Sequence, residues 1–152
     1  MERSANRLID HTKLVPGMYI ASINGDVTVY ELRFCRPNKG PFLTVEAQHT
    51  LSHLYEQILE NIDERNAVLW FGASASCSGF YMVCRSIAHS DAIAMVSQAT
   101  ELIANWDKEI PGVSAKECSD IERHDLISAK KWAQMFISKV KNITQDMLVY
   151  PC

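Results

Sequence analysis

The sequence lacks a long apolar run, a basic patch and any closely spaced pair of cysteines. Its 152 residues contain nothing near the roughly 18–20 consecutive apolar residues of a transmembrane helix. The N-terminal segment MERSANRLIDH also lacks the apolar core of a signal peptide. The net charge of −3 comes from interspersed charges of both signs, which argues against nucleic acid and anionic membranes as partners. We therefore expect a cytoplasmic protein that binds neither nucleic acid nor membrane.

The cysteines do not form a disulfide pattern. There are five of them, an odd number, and none are spaced as CxxC. Because cytoplasmic thiols stay reduced, we expect these residues to serve packing, metal binding or catalysis. They are Cys35, Cys77, Cys84, Cys118 and Cys152.

Apolar alternation and short apolar runs predict the strands of one domain over residues 1–152. The predicted strands cover residues 18–23, 27–35, 67–71 and 80–86. Asn24-Gly25-Asp26 predicts a hairpin turn between the first two, because Asn-Gly tolerates positive φ.

Apolar residues that recur at three- and four-residue spacing predict three helices. These cover residues 45–62, 91–106 and 125–141, and Thr44 is the predicted N-cap of the first. The tryptophans Trp70, Trp106 and Trp132 are expected in the core. Strands and helices without strict βαβ alternation indicate an α+β domain, with three main helices packed on an antiparallel sheet.

Two histidines one helical turn apart are candidate metal ligands. At a spacing of four residues, His49 and His53 lie on one face of the first helix, opposite its apolar stripe. The segment reads HTLSH and lacks the glutamate of the HExxH zinc-protease motif. The alternative interpretation is a solvated helix face with two titratable side chains.

A cysteine thiolate would complete a three-ligand metal site with these histidines. Cys118 lies in the polar segment KECSD, and a His₂Cys set leaves a fourth position open for water or substrate. An open position is typical of catalytic rather than structural metal sites. Spacing alone does not favour Cys118 over Cys77 or Cys35.

Several short motifs occur in an order that resembles the LuxS family, the S-ribosylhomocysteinases. The resemblance extends from about residue 5 to residue 140. The motifs are Asp10-His11-Thr12, RFCRPNK from Arg33 to Lys39, HTLSH from His49 to His53, Gly79-Phe80-Tyr81-Met82, and Cys118 followed by His124-Asp125-Leu126 and Ala129-Lys130.

The resemblance implies an α+β homodimer with its active sites at the subunit interface. It also implies one divalent metal ion per chain, natively Fe²⁺ with Zn²⁺ or Co²⁺ as alternatives, on the positions of His49, His53 and Cys118. The family cleaves the thioether of S-ribosylhomocysteine, a small ribosyl thioether, to homocysteine and the precursor of the quorum-sensing signal autoinducer-2. His11 and Arg33 match family positions in the substrate pocket.

Two positions at which the family transfers protons are altered here. The acid–base glutamate of the family motif HTLEH is replaced by Ser52, whose hydroxyl cannot shuttle protons near neutral pH without a partner base. The family's catalytic cysteine corresponds to Ser76, or to Cys77 if the turn before Gly79 is one residue longer. Glu56, one helical turn beyond Ser52, is a further candidate replacement.

A third family feature, an acidic residue before this turn, is also missing, because Leu69-Trp70 occupies that region. His124 is expected to have a local hydrogen-bond role beside Asp125.

Three hypotheses about function follow from these observations. The protein is a lyase for S-ribosylhomocysteine or a similar sugar thioether; it binds metal and a ribosyl thioether without turnover; or its metal is mainly structural, so that chelation unfolds the protein.

Overall fold

The computed structural model describes residues 9–151. Cys152 and the first part of the polar N-terminal arm lie outside these residues. No helix in the described part of the chain is long and apolar enough to span a membrane.

The strands form one antiparallel sheet in the order β1-β2-β4-β3. They are β1 (Gly17–Asn24), β2 (Val27–Arg33), β3 (Val68–Ala73) and β4 (Gly79–Arg85). The predicted hairpin joins β1 to β2, and Gly25 has the positive φ of 60° that the tight turn requires.

Three helices and a short 3₁₀ helix complete the fold. They are α1 (Val45–Ile62), α2 (His89–Ala104), α3 (Leu126–Val140) and the 3₁₀ helix Gln145–Leu148. Thr44 caps α1 as predicted, because its side chain accepts a hydrogen bond from the Ala47 N–H. The α+β prediction is confirmed, but the predicted helix at 91–106 was wrong at both ends.

The core lies between the helices and one face of the sheet. Alternate residues of β2 and β4, including Tyr30 and Leu32, are fully buried there. The stripe of α1 that packs onto them consists of Leu51, Leu54, Tyr55, Ile58 and Leu59. Trp106 and Trp132 pack against this core, as predicted. Trp70 is 55% exposed on the edge strand, so the prediction that it lies in the core was wrong.

The opposite face of the sheet has a polar cluster. Glu31 and Arg33 alternate with the core residues of β2, and they form a buried ion pair. Tyr150, which follows the 3₁₀ helix, donates a hydrogen bond to Glu31, and its ring stacks on Tyr19 with centroids 4.9 Å apart. The C-terminal segment therefore covers this pair. Within the described residues, Arg33 Nε has no hydrogen-bond acceptor.

Candidate metal centre

Four side chains converge beside the N-terminal half of α1. They are His49, His53, Cys118 and His124, and one potential ligand atom from each lies within 4.8 Å of all the others. The two Nε2 atoms of His49 and His53 are 3.1 Å apart. Cys118 Sγ lies 3.4 Å from His49 Nε2 and 3.9 Å from His124 Nε2. The structure thus brings together the three predicted ligands and adds a fourth group.

Two segments position these groups. The first two histidines occupy successive turns of α1 on the side away from its buried stripe. The other two groups lie in the loop between α2 and α3, where the Cys118 N–H donates to the Ser114 carbonyl at 2.9 Å. This loop ends at Asp125, whose carboxylate caps α3 by accepting from the Ser128 N–H at 2.9 Å.

The outer nitrogens of the α1 histidines fix the orientation of their rings. His49 Nδ1 lies 2.9 Å from the Arg123 carbonyl oxygen, and His53 Nδ1 lies 3.0 Å from the Pro111 carbonyl oxygen. Because a carbonyl only accepts, each Nδ1 carries the hydrogen and each Nε2 presents a lone pair to the cluster.

Two lone pairs facing each other at this distance repel unless a proton or a metal ion lies between them. Two nitrogens bound to one tetrahedral zinc ion would be about 3.3 Å apart, and a nitrogen and a sulfur about 3.5 Å apart. The separations of 3.1 Å between His49 and His53 and 3.4 Å between His49 and Cys118 are close to these values. The arrangement therefore fits a metal ion.

Cys118 is suited to bind as a thiolate. It is buried, and the Asp120 N–H points at its sulfur over 3.4 Å. A hydrogen-bond donor on sulfur stabilises negative charge there. A soft sulfur combined with imidazole nitrogens suits iron, zinc or cobalt.

His124 is the group that sequence reasoning missed as a member of the cluster. Its ring stacks on that of His49, with centroids 4.2 Å apart, while its Nδ1 lies 3.1 Å from Thr50 Oγ1. Burial, with the nearby His49 and His53, lowers the pKa of His124. The sequence signal that could have indicated this was the spacing of Cys118 and His124, which are six residues apart in one loop. The predicted local hydrogen bond beside Asp125 is not among the described contacts of His124, because its Nδ1 contacts Thr50 on α1 instead.

Ser52, where the resemblance predicts an acid–base group, has a hydroxyl that is already hydrogen-bonded. Ser52 Oγ donates to the Gln48 carbonyl oxygen at 3.0 Å. The buried Gln48 amide in turn donates to the carbonyl oxygens of Ser74 and Gly79. This face of α1 is thereby attached to the turn that contains Ser76 and Cys77.

The turn between β3 and β4 contains the two residues predicted as alternatives for the catalytic cysteine, Ser76 with a hydroxyl and Cys77 with a thiol. Ser76 is exposed, and its Oγ lies 2.7 Å from Ser78 Oγ. Cys77 is half-buried and has a φ of +49°, which is uncommon for a residue with a side chain. The described hydrogen bonds of Cys77 involve its carbonyl, which accepts from Leu43 N–H and from the Cys35 thiol.

A carboxylate does lie close to the cluster. Glu56 and His53 line the same cavity of about 160 Å³, together with Glu60, Glu117 and Gly112. Burial raises the pKa of Glu56, although the neighbouring His53 acts in the opposite direction. Glu56 is therefore protonated more readily than an ordinary glutamate.

The two predicted substrate-pocket residues lie elsewhere in the chain. His11 is exposed, and its described ring contact is with the Ile9 carbonyl oxygen at 3.0 Å. Arg33 is on the sheet face opposite the helices, whereas the cluster is on the helix side. Within one chain, the described contacts bring neither residue against the cluster.

The sequence has relatives along almost its entire length. The model of the family described as S-Ribosylhomocysteinase (LuxS) matches residues 6–147. The S-ribosylhomocysteine lyase of Finegoldia magna is 32% identical, with 94% of each chain covered. The S-ribosylhomocysteine lyases of Clostridium beijerinckii and Desulfotalea psychrophila are 32% and 33% identical, with 99% of each chain covered.

Proposed function

Because this chain belongs to the LuxS family of S-ribosylhomocysteinases, we propose that it is a metal-dependent S-ribosylhomocysteine lyase. The reaction breaks the thioether bond and gives homocysteine and the precursor of autoinducer-2. The observation that carries the proposal is the convergence of His49, His53 and Cys118 in a chain related to these lyases over nearly its full length.

The proposed cofactor is one divalent ion per chain, Fe²⁺ as in the family, with Zn²⁺ or Co²⁺ as alternatives. When bound, it would supply Lewis acidity that polarises a substrate carbonyl and acidifies the adjacent C–H bonds. The chain's contribution is to hold both α1 imidazoles in one tautomer through the Arg123 and Pro111 carbonyls. Burial of Cys118 keeps water away from the sulfur.

Proton transfer is the step for which this chain has other residues at the positions that the family uses. The Ser52 hydroxyl donates to a backbone carbonyl, and Ser76 contacts another serine, so neither has a base as its described partner. Cys77, in the turn beside Ser76, and Glu56, one helical turn beyond Ser52, are ionisable groups that can release and take up a proton. We assign the cysteine's role to Cys77 and the glutamate's role to Glu56, which shares a cavity with His53.

The substrate site is proposed to be shared between two subunits of a homodimer. In one chain, Arg33 and the metal cluster lie on opposite sides of the sheet, and His11 is exposed. A second copy could place its own His11 and Arg33 beside the cluster of the first. The Arg33 Nε–H, which has no acceptor within the described residues, would suit donation to an oxygen of the substrate.

The direct experiment is to load the full chain with Fe²⁺ or Co²⁺ and measure free thiol released from S-ribosylhomocysteine. The matched control is His53→Ala, which removes one of the proposed ligands. Lyase function requires thiol release well above that of the variant. Equal rates for the two proteins would rule it out.

The second candidate function is binding of a ribosyl thioether without turnover. The observation that favours it is that hydroxyl groups with described hydrogen-bond partners occupy both altered proton-transfer positions. This function predicts that calorimetry detects binding of S-ribosylhomocysteine while no thiol appears. Thiol release above that of the His53→Ala control, or no detectable binding of S-ribosylhomocysteine, would exclude it.

A further inference from the structure

The buried ion pair of β2 leaves one hydrogen-bond donor without an acceptor. Glu31 is 2% exposed and Arg33 is 7% exposed, and the Arg33 Nη2 group donates to one oxygen of Glu31. Among the described residues, nothing accepts from the Arg33 Nε–H. A donor buried in this way has lost its hydrogen bonds to water without replacing them. The arrangement is therefore less stable than one in which water or a ligand accepts from Nε.

Tyr150 attaches the C-terminal segment to this pair. Its hydroxyl donates to the second oxygen of Glu31, so that both carboxylate oxygens are hydrogen-bonded. Its ring stacks on that of Tyr19, with centroids 4.9 Å apart and an interplanar angle of 11°. One hydrogen bond to a charged group and one aromatic contact therefore hold the half-buried Tyr150 side chain on this face of the sheet.

The residues before Tyr150 allow it to move without disturbing the core. Leu148, at the end of the 3₁₀ helix, is fully buried and anchors the segment. Val149 follows it in an extended conformation, and 68% of Val149 is exposed. A rotation of the Val149 backbone would break the hydrogen bond and the ring stack of Tyr150 while Leu148 stays buried.

We propose that residues 149–151 form a lid over Arg33, which the Tyr150 hydroxyl keeps closed and which opens when the site takes up its ligand. The closed lid keeps the ligand away from the guanidinium, and the open lid leaves the Nε–H free to donate to a ligand oxygen. The identity of that ligand rests on the proposed function: the ribose hydroxyls of S-ribosylhomocysteine supply such oxygens. In the proposed homodimer, the lid of the subunit that contributes Arg33 would control entry to the shared site.

The first measurement is the reaction of the full chain with phenylglyoxal, a reagent that modifies accessible guanidinium groups. Mass spectrometry gives the modification rate of Arg33 relative to that of Arg65, whose side chain is 76% exposed. We expect Tyr150→Phe to raise this relative rate by about tenfold, the effect of one lost hydrogen bond to a charged group, and Tyr150→Ala to raise it further. Tyr19→Phe is the matched control, because it keeps the ring that stacks on Tyr150 and loses only a hydrogen bond to the Val15 carbonyl oxygen. Its relative rate should equal that of wild type.

The second measurement is calorimetric binding of S-ribosylhomocysteine to the metal-loaded chain. A ligand that binds only the open state has an apparent Kd equal to its intrinsic Kd divided by the open fraction, so Tyr150→Phe should lower the apparent Kd by about the same factor. An unchanged modification rate of Arg33 would overturn the proposal, and so would a higher Kd, which would make Tyr150 part of the binding surface. The modification rate needs no substrate. If S-ribosylhomocysteine neither binds nor releases thiol, only the proposed function fails, and the rate at Arg33 still decides whether the lid exists.

Discussion

The Nε2 atoms of His49 and His53 lie 3.1 Å apart, although each ring already donates its Nδ1 hydrogen to a backbone carbonyl. Two unprotonated nitrogens that face each other in this way repel unless a cation lies between them. The relationship links the metal site to stability, because an ion bound only by the folded state stabilises that state.

Metal removal should lower the thermal stability without unfolding the protein at room temperature. An ion present at 100 times its dissociation constant contributes about 2.7 kcal/mol, which corresponds to a shift in Tm of about 5–10 °C for a domain of this size. The hydrophobic core around Leu51 and Tyr55 does not include the cluster and should persist. The measurement is circular dichroism of metal-loaded and chelated protein during heating.

Loss of the helical signal on chelation at 25 °C would contradict this expectation and support the structural-metal hypothesis. His53→Ala is the control, because its Tm should no longer respond to metal or chelator. Re-addition of the ion to chelated wild type should restore the original Tm.

A carboxylate at position 52 should increase turnover. Ser52→Glu replaces a hydroxyl that is bonded to the Gln48 carbonyl with a group that can exchange protons beside the cluster. General acid–base groups contribute about 10²–10⁴-fold, so kcat should rise if this proton transfer limits the rate. Steady-state thiol release from S-ribosylhomocysteine measures the effect.

Ser52→Gln is the matched control, since it has the size of glutamate and no ionisable group. Equal kcat values for the two variants would show that the carboxylate is not what the site needs. In that case the Glu56 carboxylate, to which this role is assigned above, already transfers the proton fast enough not to limit the rate.

The bounds of α1 could be predicted because local signals agree there. The Thr44 cap and the stripe from Leu51 to Leu59 act over one or two turns, and the helix runs over the predicted residues. The predicted 91–106 helix extended too far because Trp106 is apolar and in phase. Its indole N–H instead donates to the Glu109 carbonyl, beyond the end of α2.

The site could be predicted only in part, because its halves come from separate segments. The spacing of His49 and His53 is a local property, but their meeting with Cys118 depends on the loop before α3. Spacing left Cys118, Cys77 and Cys35 equivalent, and only the family resemblance separated them. His124 joins the cluster through the Thr50 hydroxyl, a tertiary contact that hydrophobic periodicity does not encode.

Removal of the thiol at position 77 should lower kcat with little change in KM. Cys77→Ala should reduce kcat by about 10²-fold or more if the thiol transfers a proton in the reaction. Alanine is a suitable replacement, because alanine and cysteine both have a Cβ and lose a similar conformational free energy at a φ of +49°. The experiment is steady-state kinetics of thiol release by the metal-loaded variant.

Cys84→Ala is the control, because Cys84 is fully buried in the core and burial raises its pKa to about 12. Its kcat should match that of wild type at a temperature where the variant is folded. If Cys77→Ala retained full activity while Ser76→Ala lost it, the acid–base position would be Ser76 and the assignment to Cys77 would be wrong.

Two inactive variants should restore activity when they share a dimer. Arg33→Gln keeps an amide donor for the buried Glu31, and His53→Ala removes a proposed metal ligand on the other side of the sheet. If each site takes Arg33 from one subunit and the metal from the other, a mixed dimer contains one intact site. Random pairing makes half of the dimers mixed, so co-expression should give about a quarter of wild-type activity.

If each site were built from a single chain, both sites of a mixed dimer would be defective. Inactive mixed dimers, isolated with two affinity tags, would therefore contradict a shared site.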